Sequence, residues 1–401
     1  MLHCCHVDGL VGLTLWLWVA LGGVIGLALL GWAGVEYQYR QRPGNRLQFA
    51  AGDWNLEKYD PDHYTIVGEP ELINQTQSLE IMVPDLTAEA TLLSSGSLEG
   101  ITTQITITTQ HPDAEARPDG YWFAYIVKLR QRTQFRMQVD IQGGDLRSLK
   151  ALWMRVHYMT YGPGGRMPKM GHVVVPLRFP NPEEDRPWRS TPVAKVLPVP
   201  THLLTHLDTS VEVVKRYVVP NSQPGDIVTI GETPVAIMQG RWRYPADVHP
   251  GWLAKRLCYY FLPTSSLATA CGLQTLVDVV GAQRVLFAFI GGALMKVFLG
   301  RGGGFYQLAG EQARLIDDVT GTLPPYDQFI VMGPQNSQAV VDEIRQATGL
   351  EAAIVDVNDL RAVKILAATS GANPQVISQA LLDNPAGNAD EQTPLVLIRP
   401  N

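Results

Sequence analysis

One uninterrupted apolar segment near the N-terminus constrains this chain more than any other feature. No charged residue occurs from Leu10 to Val35, and about 20 predominantly apolar residues are enough to cross the hydrocarbon layer of a bilayer. We therefore predict a short N-terminal tail at 1–9 and a transmembrane helix at 10–35 that contacts membrane lipid. A secretory signal peptide is the competing interpretation, but no Lys or Arg precedes the apolar segment.

The charges after the apolar segment predict its orientation. The juxtamembrane segment 36–46 carries Arg40, Arg42 and Arg46, and basic flanks are retained on the cytoplasmic side of a membrane. The expected topology is a single-pass membrane protein whose globular part is cytoplasmic.

Length and charge bound the remaining possibilities. A chain of 401 residues exceeds the usual size of a single hydrophobic core, so we expect two domains after the anchor. Lys and Arg number 32 against 38 Asp and Glu, and the resulting net charge of -6 repels a phosphate backbone, so no nucleic-acid partner is expected. Four cysteines without dense spacing do not indicate a disulfide scaffold.

Residues 47–200 have the pattern of a β-rich domain. Ile101, Ile105 and Ile107 alternate with Thr and Gln, and a period of two indicates a half-buried strand. Further strands are expected at 121–129, 135–141, 152–159 and 172–179, between clusters of Pro, Gly and Asp. The proline-rich segment Val196–Pro200 is the expected passage into the next domain.

In residues 201–401, helical and strand-like segments alternate, which predicts an α/β domain. The fold class of the whole chain is therefore α+β: a transmembrane helix, a β-rich middle domain and an α/β C-terminal domain. Val285–Met295 is apolar throughout but too short to cross a bilayer by itself. We expect a buried helix there, closely packed through Gly291 and Gly292.

Acidic residues follow or precede apolar strands at two places in this domain. Asp317 and Asp318 precede the apolar run at 329–332, and the run at 353–355 ends in Asp356 and Asp359. Carboxylates at strand ends occur at ligand sites, and oxygen ligands suit Mg²⁺ or Mn²⁺. Ordinary turns and helix caps use the same residues, so both interpretations stand.

The order of several segments in this half resembles the coenzyme F-420-0:γ-glutamyl ligase family, particularly its membrane-anchored cyanobacterial versions. The segments are Pro224–Ile230, Glu232–Arg241, Ile316–Asp317 and Ala353–Asp356. In that family a nucleoside triphosphate and divalent metal ions activate a carboxylate, which the amine of glutamate then attacks. The resemblance implies ATP- or GTP-dependent ligation with Mg²⁺ or Mn²⁺, a homodimer, and location at a thylakoid or plasma membrane.

The resemblance also implies roles for individual residues. Asp317 and Asp356 correspond to metal-binding aspartates of the family, and the neighbouring Asp318 and Asp359 are further candidate metal ligands. The candidate nucleotide-binding residues are Gly240, Arg241, Arg361 and Lys364.

Three substitutions leave the activity open. Thr233, Ala236 and Gln239 stand where the family has lysine, serine and glutamate, and the lost positive charge would have made charge-assisted hydrogen bonds to a triphosphate. The alternative function is a non-catalytic interaction or assembly factor of a photosynthetic or other membrane complex, with the ligase-like fold as a binding platform. A third interpretation assigns lipid contacts to the aromatic residues at 121–125, which strand cores also contain.

Overall fold

The computed structural model describes residues 7–41, 46–300, 302–318, 323–358, 361–387 and 391–401, with side chains in the first range from 18 to 39. It begins with helix α1 (Val7–Gln41). Within α1, Trp18–Tyr39 is long and apolar enough to cross a membrane, and none of it is buried against the rest of the chain. A signal sequence has the same length and composition, so the helix is a candidate span and its topology is a prediction.

A β-sandwich follows the helix, where a β-rich domain is predicted. The first sheet has the order β1-β4-β8-β3-β2, with β6 on the other edge of β8, and the second has the order β10-β9-β5-β7. All described pairings are antiparallel. The strands are β1 (Leu47–Ala50), β2 (Trp54–Asp60), β3 (His63–Gly68), β4 (Glu71–Asn74), β5 (Ile81–Ser94), β6 (Thr102–Gln110), β7 (Tyr125–Val127), β8 (Arg132–Gln142), β9 (Leu149–Gly162) and β10 (Gly165–Pro176).

Alternating side chains build the core of the sandwich. Phe135, Met137, Val139 and Ile141 of β8 are completely buried, and the residues between them face outward or are half-buried. This is the pattern that a strand with one face on a core requires. Each such side chain contributes about 1.5–3 kcal/mol of burial free energy. The aromatic residues at 121–125 differ in exposure: Tyr121 is exposed, whereas Trp122 and Tyr125 belong to the core.

The C-terminal unit contains a mixed sheet with the order β11-β12-β19-β13-β17-β18 and a small sheet with the order β14-β16-β15. Only β13 and β17 pair in parallel among the described strands of the larger sheet. Its strands are β11 (Arg189–Ser190), β12 (Ala194–Val199), β13 (Ile227–Gly231), β14 (Trp242–Arg243), β15 (Asp317–Asp318), β16 (Ile330–Val331), β17 (Glu351–Val357), β18 (Val363–Ala368) and β19 (Leu395–Pro400).

Helices cover both faces of the larger sheet, so its strands are buried on both sides. Val228 and Ile230 belong to one cluster with α2 and α9, while Ile227 belongs to the opposite cluster with α10. This arrangement explains why the strands are apolar without alternation. The helices are α2 (Ser210–Tyr217), α3 (Glu232–Met238), α4 (Trp252–Leu257), α5 (Ala270–Val280), α6 (Ala282–Leu299), α7 (Gly304–Ala309), α8 (Gln312–Leu315), α9 (Ser337–Thr348) and α10 (Pro374–Ala380).

The C-terminal sheet begins before the predicted boundary at residue 200. The segment Ala194–Val199, which was expected to lead into the next domain, is strand β12 and pairs with β19 along its whole length. A sequence cannot reveal this pairing, because the two strands lie almost 200 residues apart. The passage between the units therefore lies between the end of β10 at Pro176 and the start of β11 at Arg189.

An apolar cluster joins the two units. Trp153 and Val174 of the sandwich pack with Ile237, Phe329 and Val331 of the C-terminal unit. The ring centroids of Trp153 and Phe329 are 5.6 Å apart, which is within the range of favourable aromatic pairs. The sandwich therefore has a direct apolar interface with the elements that carry the site described next.

The prediction of a buried helix at 285–295 is wrong. Helix α6 includes this segment and packs through Val285, Ala288 and Gly292, but most of its other apolar side chains are exposed. The predicted glycine packing is present, because a Cβ on Gly292 would lie 2.6 Å from the backbone N of Phe305. Hydropathy alone cannot distinguish a helix enclosed on all sides from one that packs on one face only.

Candidate functional site

A cavity of about 550 Å³ lies at the carboxyl ends of β13 and β17 in the C-terminal unit. Three carboxylate side chains line it: Glu232, Asp317 and Asp356. Pockets at the carboxyl ends of neighbouring parallel strands are common ligand sites, because loops rather than side-chain packing fill the space there. The two aspartates predicted to meet at one site therefore line the same cavity.

The parallel pairing of β13 and β17 explains how two of the carboxylates come together. Gly231 is opposite Val355 in the register, so the residues that follow them, Glu232 and Asp356, lie side by side at this edge of the sheet. Asp317 arrives from β15 in the small sheet, where it is opposite Val331 of β16. Three separate elements thus supply the three acids.

The environment of Glu232 and Asp317 opposes their ionisation. Burial, followed by the charges of Asp356 and Asp317, raises the pKa of Glu232 to about 8. Burial and the charge of Asp356 raise the pKa of Asp317 to about 6. The Oε2 atom of Glu232 is buried and has no hydrogen-bond partner among the described residues. Buried acids that face each other in this way are stabilised by a proton or by a cation.

Glu232 was not among the residues predicted for the site. It lies at the start of α3, immediately after the apolar strand β13. This is the same signal that singled out Asp356, an acidic residue at the end of an apolar strand. In the resemblance to the ligase family, this segment differs at 233, 236 and 239, whereas Glu232 is the same residue.

The other candidate metal ligands are placed differently. Asp318 does not line the cavity, because adjacent residues of a strand point to opposite sides. Its Oδ2 accepts a hydrogen bond from the hydroxyl of Thr269, the N-cap of α5. Asp359 lies outside the described residues.

The basic residues predicted to bind nucleotide do not line the carboxylate cavity either. Gly240 lines a different cavity, between the two units, and Arg241 donates to the carbonyl oxygen of Gly333 at 2.6 Å. Arg361 forms an exposed ion pair with Asp383. Lys364 is opposite Asp356 in the register of β17 and β18, and its Nζ lies 2.8 Å from a carboxylate oxygen of Glu311.

The carboxylates do not form a closed metal cage. In the part of the chain that the structure describes, no three His, Cys, Asp or Glu side chains are grouped closely enough to hold a metal ion. No Lys or Arg lines the cavity within those same ranges. The arrangement can therefore supply negative charge and oxygen donors to a cation, but it needs further ligands to complete the shell.

A second cavity, of about 1310 Å³, is lined by residues of both the sandwich and the C-terminal unit. Its lining includes His172 and His206, and burial is the main cause that lowers the pKa of each to about 4. Trp153 donates its Nε1 hydrogen to Nδ1 of His172 at 3.3 Å, so the proton of the neutral imidazole is on Nε2. Both histidines are therefore uncharged near neutral pH.

The β-sandwich is similar to a domain of a known protein family. Residues 48–179 match the family model described as the N-terminal Ig-like domain of F420-0:γ-glutamyl ligase. The matched range coincides with strands β1–β10, so the β-sandwich is the part of the chain that is similar to that Ig-like domain. The match supports the resemblance to this ligase family at a coarse level, although it covers the sandwich and not the C-terminal segments on which the resemblance depends.

Comparison with curated proteins finds no match. Among solved structures, the GAE domain of yeast GGA1 is 12% identical with a TM-score of 0.19, and covers 34% of this chain and 96% of that chain. The GAE domain of GGA2p from Saccharomyces cerevisiae is 7% identical with a TM-score of 0.20, and covers 34% and 94%. A protein from Archaeoglobus fulgidus is 11% identical with a TM-score of 0.18, and covers 32% and 94%.

Proposed function

We propose that this chain is a membrane-anchored γ-glutamyl-ligase-like protein whose acidic cavity binds Mg²⁺ or Mn²⁺ together with the phosphates of ATP or GTP. The observation that carries the proposal is the meeting of Glu232, Asp317 and Asp356 in one cavity, with a buried and unpartnered oxygen on Glu232 among the described residues. The Ig-like domain match supports the relation to the ligase family. Helix α1 is the proposed anchor.

The donor set fits a hard divalent cation. Carboxylate oxygens suit Mg²⁺ and Mn²⁺, and Mg²⁺ in proteins is commonly held by one or two carboxylates with phosphate oxygens and waters in the remaining positions. An incomplete protein cage is therefore what a site shared with a phosphorylated ligand requires. A bound cation would also replace the protons that the raised pKa values of Glu232 and Asp317 favour.

The lining explains why such a site would depend on the metal. The described lining contains three acids and no Lys or Arg, so a triphosphate alone would be repelled. When bound, the cation supplies charge neutralisation and polarises phosphoryl oxygens. The contribution of the chain is to hold the carboxylates on three separate elements and to keep the site partly enclosed.

Metal binding by the full-length protein in detergent tests the proposal. Mn²⁺ binding, measured by electron paramagnetic resonance of the free ion, should weaken at least tenfold in Asp317→Asn and Asp356→Asn, because each loses a charged ligand. The matched control is Asp342→Asn on the exposed side of α9, which should bind as the wild type does. Equal affinity in all four proteins would exclude the cavity as the metal site.

Catalysis is the second step to test. With Mg²⁺, glutamate and candidate carboxylic acids, we expect hydrolysis of ATP or GTP to ADP or GDP that depends on the acceptor acid. Loss of this turnover in Glu232→Gln, but not in Glu343→Gln on α9, would assign it to the cavity. Nucleotide binding without turnover for any acceptor would instead favour the non-catalytic platform.

One observation favours that platform as the second candidate. Gln239, which stands where the family has glutamate, accepts a hydrogen bond from the backbone N of Gln335 at 2.8 Å and donates to its carbonyl oxygen at 2.9 Å. Gln239 thus stabilises the segment before α9, and its amide carries no charge for a substrate. An assembly or interaction factor would keep its fold with glutamine in place of glutamate.

A further inference from the structure

Helix α6 presents an apolar face to solvent that the fold does not cover. Phe287, Val297 and Phe298 are 68%, 75% and 77% exposed, while the opposite face packs on α7 through Gly292. A helix that is apolar on all sides is usually enclosed by protein or by lipid. Here the described part of the chain encloses one side only.

The exposed surface extends beyond α6. Residues 252–262 contribute Trp252, Tyr259, Tyr260 and Leu262, all strongly exposed. The rings of Tyr260 and Phe289 have centroids 5.3 Å apart, so this segment lies directly beside α6. We define residues 252–262 and 282–299 together as the α4–α6 face.

This concentration of apolar side chains is local. Outside α1, the described residues include twenty large apolar or aromatic side chains that are exposed, and eleven of them belong to the α4–α6 face. Single exposed apolar residues are normal on a protein surface, whereas a contiguous patch marks an interaction site.

The charge of the surface indicates what covers it. The α4–α6 face contains Lys255, Arg256, Arg284 and Lys296 and no Asp or Glu, in a chain whose net charge is -6. The nearby Asp278 is paired with Arg243. Aromatic and aliphatic side chains interspersed with basic ones are typical of surfaces that lie in the headgroup region of anionic lipids.

We propose that the α4–α6 face lies on an anionic lipid bilayer, in the plane of the membrane to which α1 attaches the chain. Helix α6 has the length of a short span, but crossing the bilayer would require it to leave its close contact with Phe305. A second copy of the chain fits less well, because a two-fold interface places like surfaces together and would bring these four basic groups against their equivalents. The proposal shares the anchor with the proposed function but does not involve the carboxylate cavity.

Photocrosslinking to lipid tests this proposal directly. The full-length protein, carrying p-benzoylphenylalanine at Phe287 or at Phe298, is reconstituted into vesicles of phosphatidylcholine with phosphatidylglycerol. Irradiation should give lipid adducts at both positions, in several-fold higher yield than at Tyr59, an exposed aromatic residue of the sandwich. Adduct yields no higher than at Tyr59, or adducts between two copies of the chain instead of lipid, would overturn the proposal.

A charge variant tests the lipid class. In Lys255→Gln/Arg256→Gln/Lys296→Gln, the adduct yield at Phe298 in anionic vesicles should fall to the level seen with phosphatidylcholine alone. An unchanged yield would refute the role of anionic lipid. Because these residues lie outside the cavity lining, Mn²⁺ binding by the variant should equal that of the wild type, so loss of lipid contact and loss of the metal site are distinguishable.

Discussion

At the scale of single residues, burial and the charges of neighbouring acids raise the pKa of Glu232 and of Asp317 in the carboxylate cavity. Glu232 has a pKa of about 8 and Asp317 one of about 6. At Glu232 without metal, the folded protein therefore binds more protons than the unfolded chain between about pH 4.5 and about pH 8. The contribution of this site to the free energy of unfolding falls as the pH rises through this window.

The direction of this pH dependence leads to a prediction for Glu232→Gln. From about pH 5 to about pH 8, the thermal midpoint of the metal-free wild type should fall relative to that of Glu232→Gln, because the amide of the variant cannot ionise. Glu343→Gln, in the exposed part of α9, should show the same pH dependence as the wild type. Differential scanning calorimetry at the two pH values measures the difference, and parallel curves for wild type and Glu232→Gln would contradict the prediction.

At the scale of elements, α6 is held by one close helix–helix contact. Gly292 approaches the backbone of Phe305, and Gly304 on the other side packs against Met295. Among the described residues, most of the outer surface of α6 is exposed, and Phe289 on it contacts the ring of Tyr260. The position of the α4–α6 face therefore depends on these glycines having no side chain.

Substitution at Gly292 tests this dependence. Gly292→Val should destabilise the protein by about 1–3 kcal/mol, because its side chain would overlap the backbone of α7. Ala293→Val, one residue further on the exposed side of α6, adds bulk to the same helix without meeting another element and should change stability far less. Thermal unfolding in one detergent compares the two, and equal midpoints would argue against the close packing.

At the scale of the whole molecule, the apolar interface between the sandwich and the C-terminal unit contains a buried histidine. His172 is buried near Trp153, Phe329 and Tyr244, and burial lowers its pKa to about 4. Below its unfolded pKa of 6.5, the unfolded chain takes up a proton that the folded protein excludes. Stability is therefore present above this pH and is lost as the pH falls towards about 4.

The prediction is that His172→Asn reduces the acid sensitivity of the protein. Asn can keep the hydrogen bond from Trp153 without becoming charged, so stability should fall less between about pH 6.5 and about pH 4 than in the wild type. The wild-type contribution of this site is about 1.4 kcal/mol per pH unit at most. His249→Asn, an exposed control, should leave the acid profile unchanged, and an unchanged profile in His172→Asn as well would refute the assignment.

Local patterns predicted a large part of the fold. The alternation in β8 and the apolar runs of β13 and β17 depend only on nearest neighbours, and the expected segments overlap the observed strands. The mixed α+β character and the β-rich region after the apolar helix are confirmed. The boundary near residue 200 and the burial of α6 could not be predicted, because both depend on which distant segment packs alongside.

By itself the sequence determined where the apolar helix lies, several of the strands, and that acidic residues precede one apolar run and follow another, since periodicity and strand ends are local properties. Only the tertiary structure decided that Asp317 and Asp356 line one cavity with Glu232, that Asp318 points away from it, and that α6 is exposed. The physical reason is that strand pairing and helix packing bring together separate segments, such as β13 and β17, which pair through Gly231 and Val355. Local sequence patterns contain no information about those contacts.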